Sequence, residues 1–237
     1  MGGTRTLLRP LTVFLVVCAA AFAFLKLASE VREGETQRLD ERVLRSLRTP
    51  ADPAIPIGPG WLLPAAQSLT ALGSVAVLLL VVLAVAGFLA LAQLWRNLAL
   101  VLGASGGGLL LMMALKRVFE RPRPSVVPPL TFETSYSFPS GHAMMSAVIY
   151  LTLGTLLAQL CPRWWERVYV ITVAGVLTLI IGLTRLYLGV HYPSDVLAGW
   201  SVGLAWALMS ALAAQALRAW SRRLRAEAPD AEGGEGA

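Results

Sequence analysis

The sequence predicts an all-α fold: a polytopic membrane bundle of about six transmembrane helices, forming one integral membrane domain over residues 1–237. Hydrophobic residues make up 56% of the chain and charged residues only 14%, whereas soluble domains carry about 25% charged residues. The mean hydropathy is +0.65, and the apolar residues gather into runs of membrane-spanning length. A soluble core of this size could not bury so much apolar surface, so the excess must face lipid.

Six apolar runs each approach the ~20 residues that a helix needs to cross the hydrocarbon core. We favour a retained first helix over a cleaved signal peptide, because further spans follow it and no clean Ala-x-Ala site is present. The region with the polar motifs, described below, is predicted to be the core of the domain, residues 97–217. In chain order the runs are Leu11–Leu27, Gln67–Leu94, Leu98–Leu115, Ala143–Leu160, Val168–Leu183 and Val196–Leu217.

The segment 29–60 is polar and is predicted to form an extracytoplasmic loop. Within it, Gln37–Arg48 places Leu39, Val43 and Leu44 at helical spacing between arginines. This pattern predicts an amphipathic helix. Either it lies on the membrane surface or it is a solvated loop helix, and neither interpretation assigns it any chemistry.

The distribution of arginines predicts the orientation and the kind of partner. The net charge is +6, but the arginines lie between apolar runs rather than on one basic face, which favours the bilayer and phosphate groups over nucleic acid as partners. By the positive-inside rule, both termini and the tail 218–237 are cytoplasmic, in an inner (plasma) membrane protein. The arginines that would share the cytoplasmic side are Arg5, Arg9, Arg96, Arg163, Arg167, Arg218, Arg222, Arg223 and Arg225.

Three polar clusters interrupt the apolar chain, each at the end of a predicted span. If the helices alternate in direction, all three clusters reach the same face of the membrane, which is the extracytoplasmic one in this orientation. Ionisable residues near a bilayer are costly and are usually functional, and both histidines of the chain belong to these clusters. The clusters are Lys116 with Arg123-Pro124, then Pro139-Ser140-Gly141-His142, and finally Arg185 with His191 and Asp195.

These residue types suit the binding of a phosphoryl group. Lys116, Arg123 and Arg185 can supply the positive charge, and an arginine fork matches phosphate oxygens. Ser140 occupies the N-cap position of the fourth span, so that its hydroxyl and the Gly141 N–H would point at an anion.

The remaining polar residues supply a nucleophile and an acid. His191 and Asp195 are four residues apart and would lie on one face of a helix. The carboxylate would hold one ring nitrogen and leave the other free to attack phosphorus, while His142 protonates the leaving group. The neighbouring Arg117, Glu120 and Arg121 are interpreted as interfacial charges, and the glycines at 103, 106, 107 and 108 as helix-packing positions rather than a phosphate loop.

Taken together, the motifs resemble the type 2 phosphatidic acid phosphatase family, which shares its site with vanadium haloperoxidases and bacterial acid phosphatases. The resemblance implies a phosphohistidine on His191, oriented by Asp195, with His142 as the acid. It implies a phosphate site without a metal or other cofactor, built from Lys116, Arg123, Ser140, Gly141 and Arg185. Thr184 stands where the family pattern has Ser, and because it keeps a hydroxyl we expect a small effect.

Three kinds of function are compared on this basis. The first is a membrane lipid phosphatase acting on a lipid phosphate monoester or diphosphate, namely phosphatidic acid, phosphatidylglycerol phosphate or undecaprenyl diphosphate. The second is a vanadate-dependent oxidase on the same residues, and the third is a non-enzymatic transporter or scaffold. The first is favoured because the charges lie at span ends, where a lipid headgroup is presented. The segment Ser125–Ser137 is interpreted either as a wall of the pocket or as a plain connector.

Overall fold

A computed structural model describes residues 2–227, and within them the chain forms eight helices and no strand. The last ten residues of the predicted tail, 228–237, lie outside the described part. The helices are α1 (Gly2–Glu33), α2 (Gln37–Ser46), α3 (Leu62–Ala71), α4 (Val75–Leu91), α5 (Trp95–Phe119), α6 (Gly141–Leu160), α7 (Trp164–Tyr187) and α8 (Pro193–Glu227).

Five of these helices, α1, α5, α6, α7 and α8, are long and apolar enough to cross a membrane, and the pair α3 and α4 meets the same criterion when taken together, which gives up to six spans. The predicted all-α bundle of about six spans is therefore confirmed. α3 and α4 are bent by 45° relative to each other. The break contains Gly73, where a side chain would collide with Ile181 and lie 3.1 Å from the His142 ring. The break thus brings the start of α4 close to the second polar motif.

Two glycines of α8 let it approach α6 closely. A Cβ on Gly199 would lie 2.8 Å from the carbonyl oxygen of Ser140, and one on Gly203 would lie 2.6 Å from that of Met144. Small residues four apart are a common way for membrane helices to pack. At the ends of the two helices, the Ser140 N–H donates to the Asp195 carbonyl at 3.0 Å. This packing fixes the second motif against the third.

The packing prediction for the α5 glycines is half right. A side chain on Gly107 would meet the Trp206 ring at 2.5 Å, and one on Gly108 would meet Val148 at 3.1 Å, so these two positions do serve close packing. For Gly103 and Gly106 the prediction is wrong, because a Cβ at either position meets nothing within 4 Å.

The amphipathic helix predicted after the first span is confirmed as α2. One part of its apolar face is buried against the rest of the protein and another part is exposed. Leu44 is fully buried and packs with Val127 and Tyr192, whereas Leu39 is 61% exposed. α2 also buries an acidic side chain, Asp40, which is 1% exposed. α2 therefore packs against the segment that leads into α8.

Candidate active site

The three polar motifs meet at one cavity of about 390 Å³. Five of the eight predicted site residues line it: Lys116, Arg123, Gly141, His142 and His191. The other three lie directly behind its wall, since Ser140 precedes Gly141, Asp195 contacts His191, and Arg185 is ion-paired to the lining residue Glu133. The helix alternation inferred from the sequence thus brings the three motifs together.

His191 and Asp195 make the expected contact, but not on a helix. α8 begins at Pro193, so His191 lies in the connection after α7, and the prediction of a shared helical face is wrong. The contact survives because Asp195 folds back over this turn: Oδ2 accepts from the Tyr192 N–H at 2.9 Å and lies 3.4 Å from His191 Nδ1. The carboxylate therefore both caps the helix and holds the imidazole.

The hydrogen bonds of His191 define its tautomer. Arg123 Nη1 lies 3.3 Å from Nε2, and because a guanidinium can only donate, Nε2 is the unprotonated nitrogen. Nδ1 then bears the proton and faces Asp195. Burial lowers the pKa of His191 well below its ordinary value, and the cations Arg123 and Arg185 lower it further. The imidazole is thus neutral, with a lone pair facing the cationic cavity.

The loop between α5 and α6 forms part of the cavity wall, which supports the wall interpretation of Ser125–Ser137 over the connector. Arg123 Nε donates to the Ser135 carbonyl at 2.7 Å, and Arg123 Nη1 donates to the Val190 carbonyl at 2.8 Å. Lys116 Nζ donates to Ser135 Oγ at 3.2 Å and to the Tyr136 carbonyl. These bonds place both cations at the rim of the cavity.

A carboxylate that sequence reasoning missed lies between two of the arginines predicted to bind phosphate. Glu133 forms an ion pair with Arg185 and a longer one, 3.5 Å, with Arg123. It also lines the cavity. Glu133 thus occupies part of the hydrogen-bonding capacity of both guanidinium groups. A single acid in an irregular loop has no periodic signal, which is why sequence reasoning did not find it.

Two buried donors near the cavity have no partner among the described residues. They are Ser140 Oγ and Arg185 Nε, on side chains that are 0% and 1% exposed. Since buried polar groups are nearly always hydrogen-bonded, these two are suited to the oxygens of a ligand. Gly141 lines the cavity, and a Cβ there would crowd its wall, 2.9 Å from Met112 Sδ and 3.6 Å from Lys116 Cε.

Arg185 is positioned by α3, a helix that was not predicted to contribute to the site. Its Nη1 donates at 2.9 Å to Thr70 Oγ1, which belongs to α3. The adjacent Thr184 donates its hydroxyl to the Ile181 carbonyl of its own helix at 2.6 Å. That hydroxyl is therefore hydrogen-bonded within α7.

The interpretation of Arg121 as an interfacial charge is wrong. Arg117 and Glu120 are exposed as expected of interfacial charges, but Arg121 is only 8% exposed. Its guanidinium donates to Asp195 Oδ1 at 2.7 Å and to Asp40 Oδ2 at 2.9 Å. It lies directly behind the His191–Asp195 pair, where no interfacial role explains it.

The fold and the site define a class of protein: a multi-pass membrane enzyme with a cationic, histidine-containing pocket suited to phosphoryl transfer. Comparison with known families agrees. The model described as the PAP2 superfamily matches residues 75–219, which is more than half of the chain. The chain belongs to the PAP2 superfamily. The predicted membrane lipid phosphatase is thereby confirmed at the level of the family.

Individual relatives support the same assignment. Phosphatidylglycerophosphatase B of Bacillus subtilis (strain 168) is 35% identical over 200 residues, covering 83% of this chain and 90% of that protein. A putative undecaprenyl-diphosphatase of Escherichia coli (strain K12) is 32% identical over 157 residues, covering 61% of this chain and 73% of that protein. The crystal structure of a transmembrane PAP2-type phosphatidylglycerolphosphate phosphatase from Bacillus subtilis matches with a TM-score of 0.75 at 30% identity, over 85% of this chain and 96% of that one.

Proposed function

We propose that the protein removes phosphate from a membrane lipid whose headgroup enters the cationic end of the cavity and whose tail lies in an apolar groove between α4 and α5. The observation that carries this proposal is the shape of the cavity. It contains both histidines at one end and continues into the hydrocarbon depth of the bundle. A water-soluble substrate would have no use for such an extension.

The groove descends along α5 by one helical turn after another. Below Lys116 it is lined by Met112, Leu109, Gly106 and Leu102. From Lys116 to Leu102 the helix rises by roughly 21 Å at 1.5 Å per residue. That is most of the ~30 Å thickness of the hydrocarbon core. The opposite wall consists of α4 residues Val75, Leu78, Leu79, Val82 and Leu83.

The groove is open to lipid at its side. Leu79, Leu83 and Leu102 line it and are 54%, 60% and 47% exposed. In a bilayer this exposed face is covered by acyl chains, so a lipid can enter laterally without leaving the membrane. Candidate substrates are phosphatidylglycerol phosphate and undecaprenyl diphosphate, after the relatives' names, together with phosphatidic acid.

The first chemical step transfers the phosphoryl group to His191. The Nε2 lone pair attacks phosphorus while the P–O bond to the lipid breaks, and the departing oxygen takes a proton from His142. Lys116, Arg123 and Arg185 balance the charge on the phosphoryl oxygens. Asp195 accepts a hydrogen bond from Nδ1–H and stabilises the positive charge that the ring acquires.

The second step hydrolyses the phosphohistidine. A water molecule attacks phosphorus and gives a proton to His142, which the first step left neutral. The P–N bond breaks, its electron pair returns to Nε2, and inorganic phosphate leaves. Both histidines are then in their starting states, so the cycle closes with one water consumed.

We also propose that the site faces the extracytoplasmic side of an inner membrane and that the termini are cytoplasmic. Support comes from the arginines at the opposite end of the bundle, Arg96, Arg163 and Arg167.

Native Cys161 lies at that end, after α6, while Ala51 is exposed near the site end. In intact cells a membrane-impermeant maleimide should label Ala51→Cys but not Cys161; the reverse pattern would contradict the orientation.

The experiment that tests the proposed function is phosphate release from purified lipids in vesicles. Phosphatidylglycerol phosphate, undecaprenyl diphosphate and phosphatidic acid are compared with a soluble short-chain phosphate ester. We expect kcat/KM for at least one long-chain lipid to exceed that of the soluble ester by about tenfold or more, since the groove binds apolar tails. Equal or better use of the soluble ester would contradict a lipid substrate.

A variant of the groove sharpens this test. Gly106 lines the groove and has open space where a side chain would point, so Gly106→Leu fills it without a clash. We expect kcat/KM for long-chain lipids to fall about tenfold, as for about 1.4 kcal/mol of lost binding, and hydrolysis of the soluble ester to stay within about twofold. Gly103→Leu is the matched control, because Gly103 has equally open space but faces a different cavity. Equal losses in both variants would exclude the groove as the tail site.

A further inference from the structure

Behind the catalytic pair, a buried chain of charges connects α2 to α8. The guanidinium of Arg121 lies between Asp40 Oδ2 at 2.9 Å and Asp195 Oδ1 at 2.7 Å. It also stacks over the Tyr192 ring, with its Cζ 4.2 Å from the centroid. All three charged side chains are less than 10% exposed.

Asp40 is also bound to the first turn of α8. Its Oδ1 accepts from the Ser194 N–H at 3.0 Å, and its Oδ2 accepts from the Ser194 hydroxyl at 2.5 Å. Arg121 donates to the same hydroxyl at 2.8 Å. A carboxylate at a helix N-terminus is stabilised by the helix dipole, so α2 supplies an acidic cap to the helix that begins beside the catalytic pair.

We infer that Asp40 and Arg121 are positioning residues for the nucleophile, which act through Asp195 to hold the His191 imidazole in line with the substrate phosphorus. This inference rests on the proposed function, because it assumes that His191 is the nucleophile.

The contacts of Asp195 fix the direction of its carboxylate. Arg121 occupies Oδ1, which leaves Oδ2 for the Tyr192 N–H and His191 Nδ1. With one oxygen held by a charge-assisted bond, the carboxylate cannot rotate. The ring that contacts the other oxygen is therefore fixed in tautomer and in orientation.

The same three side chains set the net charge behind His191. Asp40, Arg121 and Asp195 together carry one net negative charge in a buried environment. Phosphorylation at Nε2 gives the His191 ring one positive charge, which that net charge matches. Without Asp40, Arg121 would neutralise Asp195 and the positive charge would have no counterpart. Without Arg121, two buried carboxylates would face each other unpaired.

The chain of contacts joins α2, the turn after α5 and the start of α8. The loop after the first span is thus a structural part of the site rather than a cover over it. A purely structural ion pair would not need to end on the carboxylate that contacts the nucleophile.

The experiment compares Asp40→Asn, Arg121→Gln and Arg121→Lys in the full-length protein, in detergent. The matched charge control is Arg117→Gln, which removes an exposed arginine from the same region. The stability control is Arg48→Gln, since Arg48 is 4% exposed and donates to the Tyr187 carbonyl at 3.0 Å without touching Asp195 or His191. Melting temperature, KM, kcat and the rate of His191 phosphorylation are measured on folded protein.

We expect Asp40→Asn to slow phosphorylation of His191 about tenfold to a hundredfold, with KM changed less than about threefold. Loss of a residue that orients a metal-binding histidine has an effect of this size in other proteins. Arg121→Gln should be slower still, and Arg121→Lys should recover part of the rate because it keeps the charge. Arg117→Gln should match the wild type. Arg48→Gln should lower the melting temperature at least as much as Asp40→Asn, yet phosphorylate at close to the wild-type rate.

Two results would overturn the inference. One is a folded Asp40→Asn protein that phosphorylates at the wild-type rate. The other is a loss of rate in Arg48→Gln as large as in Asp40→Asn at equal melting temperature, which would mark a stability effect. If Arg121→Gln does not fold, the comparison of Asp40→Asn with Arg48→Gln still decides. His191→Ala separates this inference from the proposed function: if that variant stays active the proposed function fails, and if it is inactive while Asp40→Asn is normal, only the inference fails.

Discussion

Replacing His191 with alanine is expected to lower lipid phosphatase activity by at least about 10⁴-fold, because loss of a catalytic nucleophile removes the whole covalent route. Its Nε2 is the unprotonated nitrogen at the cavity and contacts Arg123, while its Nδ1 contacts Asp195. Rapid acid-free quenching with ³²P-labelled substrate should trap an alkali-stable, acid-labile phosphohistidine on the wild type. The His191→Ala protein should show neither label nor turnover.

The label can be assigned without mapping, because the chain contains only two histidines. His142→Ala should still be labelled, which makes it the matched control for His191→Ala. Since burial lowers the pKa of His191, its neutral form persists below the ordinary histidine range. Label formation should therefore hold as the pH falls from 7 to about 6 and decline only at lower pH. Label that remains in His191→Ala, or a label on a residue other than histidine, would refute the assignment.

Much of the site could be predicted from the sequence because membrane helices impose strong constraints. Once the spans were located, alternation alone placed Lys116, His142 and Asp195 at one face. Composition and run length were sufficient for the all-α bundle, and the motif residues gather around one cavity. The placement of His191 on a helix was wrong, but its predicted contact with Asp195 is present, because the turn before α8 keeps His191 Nδ1 3.4 Å from the Asp195 carboxylate.

The residues that sequence reasoning missed are those whose roles depend on tertiary contacts. Arg121 stands four positions after Arg117 in a basic stretch whose charges the sequence suggests are interfacial. The left-handed turn at Glu120 (φ 43°) redirects the chain immediately before Arg121, which is buried. Asp40 lies on an amphipathic helix among charges that look solvated. Glu133 lies in a loop without periodicity. None of these three partners is close in sequence to the group it binds, so no spacing rule could connect them.

Replacing His142 with alanine is expected to separate substrates by their leaving groups. An alkoxide is a poor leaving group unless it is protonated, and a general acid typically contributes about 10²–10⁴-fold. His142 opens α6 and lines the cavity together with His191, so it can reach the departing oxygen. We expect the rate of label formation from phosphatidylglycerol phosphate to fall by that factor. With p-nitrophenyl phosphate, whose leaving group needs no proton, the fall should be less than about tenfold.

The same variant should behave differently in the second step. Without His142 as a base, attack of water on the phosphohistidine slows, so p-nitrophenyl phosphate should give a burst of product followed by slow turnover, with label accumulating on His191. Undecaprenyl diphosphate should resemble p-nitrophenyl phosphate, because its leaving group is a lipid phosphate with a second pKa of about 6, which departs without a proton. Equal losses for all three substrates would mean that His142 binds phosphate rather than transferring a proton. That result would reassign His142 while leaving His191 as the nucleophile, because the leaving group affects only the acid.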